Sequence, residues 1–197
     1  ILGSVVPALT GRVLGALRMF CSARFLTVGP GLKSGIKLRL DNPAQLGAEL
    51  LCGAVAALEE GPGPLAVISA DTAISIMAVN GKQELVGGVI LPGPQLSLSA
   101  LVQKTAQLPQ IDLSAPASSS ILGKNTSACL QNGFVLGTAG LLDGLADRFQ
   151  AELGPDIRFY ATGNLPRTIR EACRTPIQYR EYLITDGLYR IWQKNRK

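Results

Sequence analysis

GPLAVISADTAISIMAVNGKQELVGGVILPG, residues Gly63 to Gly93, reads as strand, tight turn, strand, turn, strand. The apolar runs 65–69, 73–80 and 84–91 are short, rich in Val, Ile and Leu, and bounded by turn residues. Asn80-Gly81-Lys82 is a hairpin signal. The turn SADTA, Ser69 to Ala73, holds small polar residues between apolar strands, which is what a phosphate-cradling turn needs. An acid and a glycine would suit such a turn at its first and third places. Ser69 and Asp71 stand there instead.

Outward from this stretch, GPGP at Gly61–Pro64 ends a helical segment and is the best boundary candidate in the chain. Upstream, PALTGRVLGALRMF has apolar residues at helical spacing, RFLTV reads as a short strand, and residues 29–43 form a glycine-rich loop. Asn42, followed by Pro43, is expected to cap a helix running to about Glu60. Downstream, SLSALVQKTAQL reads as a helix and SAPASSS as a polar loop. A long helix follows from the capping pair Asn125-Thr126, with a possible break near Gly137. IRFYATG is a strand, and PRTIREACR and TDGLYRIWQKN are amphipathic helices. Three meandering strands followed by crossover helices match the half-repeat of the actin-like ATPase, ribonuclease H-like fold. The expected class is therefore α/β, with a mixed sheet whose meander is flanked by helices.

Composition bounds the function. The chain has 197 residues, 47% of them hydrophobic, enough for a packed core. No apolar run approaches the ~18 residues of a membrane span. The absence of histidine removes imidazole bases and His-containing metal sites, leaving Asp, Glu, Lys, Tyr or Cys for acid–base work. Four widely spaced cysteines with no C-x-x-C pair suit a reducing cytoplasm. The net charge is +5, but the arginines of residues 167–190 are spaced as solvated helix faces, and the cations of the QKNRK tail suit a helix C-terminus. Neither nucleic acid nor a membrane is the expected partner. The first residue is Ile1, and ILGSVVPALT looks like the exit of a strand, so material upstream is expected.

SVVP (4–7), VGPGLKSGIKLRLDNPAQLGAE (28–49), GGVILPG (87–93), Leu108-Pro109, GKNT (123–126), ATGN (161–164) and LITDGL (183–188) keep one order and spacing along the chain. In this set the sequence resembles the type III pantothenate kinases. The resemblance implies a dimeric, cytosolic, actin-like enzyme that phosphorylates pantothenate with ATP in the first step of coenzyme A synthesis. It also implies a divalent metal (Mg2+) and a monovalent cation (K+ or NH4+). Residues 1–60 would then be a remnant of the N-terminal actin-like domain with its connecting helix, and 61–197 the C-terminal domain.

Site residues follow only through that resemblance. Gly47, Ala48, Glu49 and Leu50 stand on the family's G-A-D-R. Glu49 would be the base, on a stem one methylene longer, and Leu50 replaces the arginine that would hold pantothenate's carboxylate. Leu40 replaces the tyrosine of Y-D-N-P. SADTA stands on D-x-G-T-A: Ser69 replaces the cation-binding acid, Asp71 replaces a glycine, and Thr72 remains as a phosphate contact. Thr126 of GKNT remains as a pantothenate contact, while Asn164 replaces the second glycine of the family's A-T-G-G. The D-x-G-N-T phosphate loop does not occur in these residues and would lie upstream of Ile1.

Each residue also has an ordinary reading. Glu49 is either a relocated base or a solvated helix residue, and Asp71 either a metal ligand or a turn-capping acid. Thr126 is either a substrate contact or a helix cap. Positions that shape the fold are kept and positions that carry chemistry are changed. Two functions are consistent with this: a pantothenate kinase homologue, degenerate in this chain, or a silent regulatory partner subunit. The partner would be a second copy, giving a homodimer, or an intact kinase paralogue, giving a heterodimer.

Overall fold

The computed structural model describes residues 1–115 and 120–196. Part of the loop expected over SAPASSS and the last residue of the basic tail lie outside the described residues. The meander forms as read: β2 (Leu65–Ala70), β3 (Ala73–Val79) and β4 (Glu84–Pro92) pair antiparallel. Before them come α1 (Pro7–Phe20), a two-residue β1 (Lys37–Leu38) and α2 (Ala48–Glu59). After them come α3 (Pro94–Gln103), α4 (Thr126–Leu153), β5 (Arg158–Gly163), α5 (Arg167–Ala172), β6 (Ile177–Tyr179) and α6 (Leu183–Asn195).

The six strands lie in the order β1-β4-β3-β2-β5-β6, with β5 and β6 parallel to β2. A meander whose first strand pairs in parallel with β5, which in turn pairs in parallel with β6, with β3 alone running against the rest, is the ribonuclease H-like arrangement. The chain has the mixed α/β architecture of the actin-like ATPase class.

Period-2 alternation along β2 feeds both faces of the sheet. Leu65 and Val67 enter a core with α2 and α6, while Ala66, Ile68 and Ala70 enter a core with α4 and α5. Because β2 is buried on both sides, it reads as a continuous apolar run. In β4, Ala78 pairs with Gly87 and Val79 with Leu85, so Val86 is bulged out. The pair Gly87-Gly88 serves this kink: Gly87 has φ 141°, and a side chain on Gly88 would strike the Ile76 carbonyl.

Helices α2 and α6 touch backbone to backbone. A Cβ on Gly187 would overlap the Cys52 carbonyl oxygen. Cys52 itself is wholly buried, and burial pushes its thiol up to about 12, so it is inert packing. The far end of α2 is tied by Arg180, whose Nε and Nη2 donate to Glu60 at 2.7 and 2.8 Å.

Three local expectations differ. The Asn42 cap closes only a 3₁₀ turn, Pro43–Gln45, through Ala44 N–H at 3.3 Å. The chain is extended at Leu46, and α2 starts afresh after Gly47. RFLTV makes one parallel bridge, Leu2 with Thr27, rather than a strand. The helix from Asn125 is unbroken over 28 residues, because Gly137 stands where no neighbour demands a kink.

Candidate functional site

Helix α2 precedes β2 and runs back along it, so the first turn of α2 lies toward the carboxyl end of β2. The turn Asp71-Thr72 and, after the parallel β5, Asn164 lie at that same end. Ligand crevices of open α/β sheets sit at this end.

One cavity of about 730 Å³ lies between the glycine-rich loop 28–34 and the first turn of α2. Gly47 and Ala48 line it, with Asn42, Gln45 and Leu46. Leu50 is not among its walls. It is buried in the apolar core with Val28 and Ile36, and Leu40 packs against the same core. Glu49 lines instead a small adjoining cavity of about 190 Å³ with Gly3, Cys52 and Leu188, which shares Ser4, Val5 and Ala48 with the larger one. Glu49 is exposed, and no hydrogen bond or ion pair to its carboxylate occurs among the described residues. It sits in the first turn of α2, where a negative charge suits the helix dipole.

The second cavity, about 420 Å³, is lined by Asp71, Thr72, Asn164 and the first turn of α3. Asp71 N–H donates to the Ala73 carbonyl at 2.9 Å, and Gly93 N–H donates to the Thr72 carbonyl at 2.9 Å. Asn164 Nδ2 donates to Asp71 Oδ1 at 2.9 Å, joining residues 93 apart in sequence. Ser69 lies two residues earlier, buried in β2 beside Ser75 of β3 and Thr162 of β5.

Thr126 is the exposed first residue of α4, behind the cap in which Ala128 N–H donates to Asn125 Oδ1 at 2.9 Å. Since α4 covers one face of the sheet and α2 the other, a single chain does not bring Thr126 to Gly47–Leu50. Gly123 is fixed by packing, because a side chain there would strike the Cys129 backbone nitrogen.

A divalent cation wants several oxygen ligands. Asp71 is the one carboxylate lining its cleft, and one of its oxygens is already engaged by Asn164. Ser69 contributes a buried hydroxyl. These residues do not fit a metal–phosphate site. Reading along the sequence noted Asp71 and Asn164 separately but missed their contact and the α3 wall. The only signal for that wall was Gly93-Pro94, a helix start directly after a strand.

The family model of the type III pantothenate kinases matches residues 1–148. The chain belongs to this family. It is 35% identical to the type III pantothenate kinase of Koribacter versatilis (strain Ellin345) over 196 residues, covering all of this chain and 71% of that protein. With the type III pantothenate kinase of Dehalococcoides mccartyi (strain ATCC BAA-2100 / JCM 16839 / KCTC 5957 / BAV1), identity is 38% over 196 residues and coverage 74% of the relative. Among solved structures, a conserved Campylobacter jejuni protein assigned to the Baf family of transcriptional activators superposes with a TM-score of 0.60. It shares 20% identity and is covered to 80%, against 98% of this chain. That likeness concerns the fold. Among the described residues no helix is long and apolar enough to cross a membrane.

Proposed function

We propose that this chain is a type III pantothenate kinase homologue that does not turn over alone and acts as a partner subunit of an intact kinase chain. One observation carries the reading: Leu50 is built into the apolar core. The family's arginine would hold pantothenate's carboxylate, and its counterpart here serves packing instead. Glu49 adds support, since it does not line the larger cavity of Gly47, although Ser4, Val5 and Ala48 line both that cavity and the small one beside Glu49. A displacement of ~1 Å in a reacting group costs about a hundredfold in rate.

ATP, Mg2+ and a monovalent cation belong to the family's chemistry. The donor set at Ser69 and Asp71 does not fit the cations, so no step is routed through them here. Pairing would take place in the cytoplasm, where coenzyme A is made. Thr126, exposed at the head of α4, is free to face a site on another chain. Helix α1 supplies apolar surface for an intact kinase chain to cover, with Leu9, Val13 and Phe20 exposed by 51%, 42% and 86%. This chain spans about three quarters of its relatives' length.

The test is co-expression with an intact relative, followed by sizing and by pantothenate-dependent ADP release. A mixed complex whose turnover per intact chain differs from that of the intact homodimer supports the proposal. Exclusive self-association, or separate elution with unchanged turnover, contradicts it.

A further inference from the structure

Helix α6 ends against the glycine-rich wall of the large cavity, which is formed by residues 28–32, 34 and 36. The wall turns through left-handed backbone at Gly31 and Gly35, with φ of 91° and 85°. Val28 and Ile36 are buried in the core and anchor its two ends. Between these anchors little holds it. Leu32 N–H donates to the Gly29 carbonyl at 3.3 Å, and Ser34 Oγ bonds the main chain of Ile36, all within the loop. Among the described residues of this loop, Lys33 is the one whose backbone bonds to a distant part of the chain.

The side chain of Asn195, at the end of α6, makes that tie. Its Oδ1 accepts from Lys33 N–H at 3.0 Å, and its Nδ2 donates to the Lys33 carbonyl at 2.9 Å and to the Ile191 carbonyl at 2.8 Å. One amide thus uses both protons and an oxygen lone pair to join residues 162 apart. Beside it, the Lys194 side chain lies over Gly35, where a Cβ would stand 2.8 Å from Nζ. The helix end is itself firm, because Ile191 is wholly buried in the core with Val28 and Ile36.

We propose that Asn195 is a latch: it holds residues 29–35 against α6, and its release lets that segment leave the wall of the large cavity while the rest of the fold stays closed. A segment with two left-handed glycines and one outside tie opens at a lower free energy than the sheet. Two hydrogen bonds to Lys33 shift such an equilibrium by about tenfold or more. By linkage, whatever fills the cavity against this wall also orders the last turn of α6. The latch is the same whether or not the chain turns over pantothenate.

Residue-resolved hydrogen exchange on the full chain tests it. The Lys33 amide loses its acceptor in any Asn195 variant, so the telling amides are Leu32 and Ile36, whose own acceptors lie within the loop. In Asn195→Ala these two are expected to exchange about tenfold faster or more, with the amides of β2 and α2 within about twofold of the unaltered chain. Asn195→Asp keeps the shape and the acceptor for Lys33 N–H, but sets an oxygen against the Lys33 and Ile191 carbonyls. It is expected to release Leu32 and Ile36 as well at pH 7. Unchanged exchange at Leu32 and Ile36 in Asn195→Ala overturns the proposal. So does an equal rise in β2 and α2, which would mean general destabilisation. An Asn195→Asp loop as protected as the unaltered one also overturns it, because Asn195 would then only fill space.

Discussion

The crossing of α2 with α6 and the clip between Asp71 and Asn164 are both places where the chain meets itself across a long stretch of sequence. At the crossing, the glycine is kept, because any side chain on Gly187 would displace the Cys52 carbonyl. At the clip, two positions where the family resemblance leads one to expect glycine hold Asp71 and Asn164, and the two side chains bond to each other. The first place is constrained by packing of the folded chain. The second is closed by a hydrogen bond between the two side chains themselves.

Gly187→Ala should have the largest effect. Overpacking against a backbone carbonyl is expected to cost roughly 3 kcal/mol or more, a fall in Tm of about 6–12 °C by circular dichroism. Loss of less than 1 kcal/mol would remove the steric half of the contrast. Leu50→Arg, the residue the resemblance leads one to expect there, is expected to cost about 2–3 kcal/mol in denaturant titrations, since it puts a charge into the core shared with Val28 and Ile36. A stable Leu50→Arg chain would mean the side chain can reach the cavity after all.

The carboxylates sharpen the contrast further. Asp143 is buried at 3% exposure and accepts the backbone N–H groups of Arg174 and Thr175 at 2.9–3.0 Å. Burial alone would raise its pKa, but these hydrogen bonds outweigh it and hold the carboxyl below the ordinary range. A lowered folded value means the stabilisation is present above the unfolded value of ~3.9 and is lost as pH falls through the folded one. Asp143→Asn should therefore cost about 1–2 kcal/mol near pH 6, with the deficit shrinking below about pH 4 in urea titrations. Glu49→Gln should have the smallest effect, within about 0.5 kcal/mol, since its charge gains only from the helix end.

Much of the scaffold was legible because its signals are local. The meander strands fall within a residue or two of their expected bounds, and Asn80-Gly81 turned the chain as read. β1 and β6 escaped because two or three residues in parallel pairing carry no periodicity. The start of α2 was misplaced because Asn42-Pro43 is a true cap on a shorter turn. The site was harder to read. Periodicity put Leu50 on an apolar face but could not say that the face is closed. The Asp71–Asn164 contact depends on β2 and β5 lying side by side, which no spacing in the sequence reveals.

Turnover by the pure chain is the deciding measurement. ADP release should be followed with pantothenate, ATP, Mg2+ and K+, beside the Koribacter versatilis relative under the same conditions. We expect pantothenate-dependent turnover from the relative and none above background from this chain. Sustained phosphorylation of pantothenate by this chain alone would show that Glu49 and Leu50 still serve a working site.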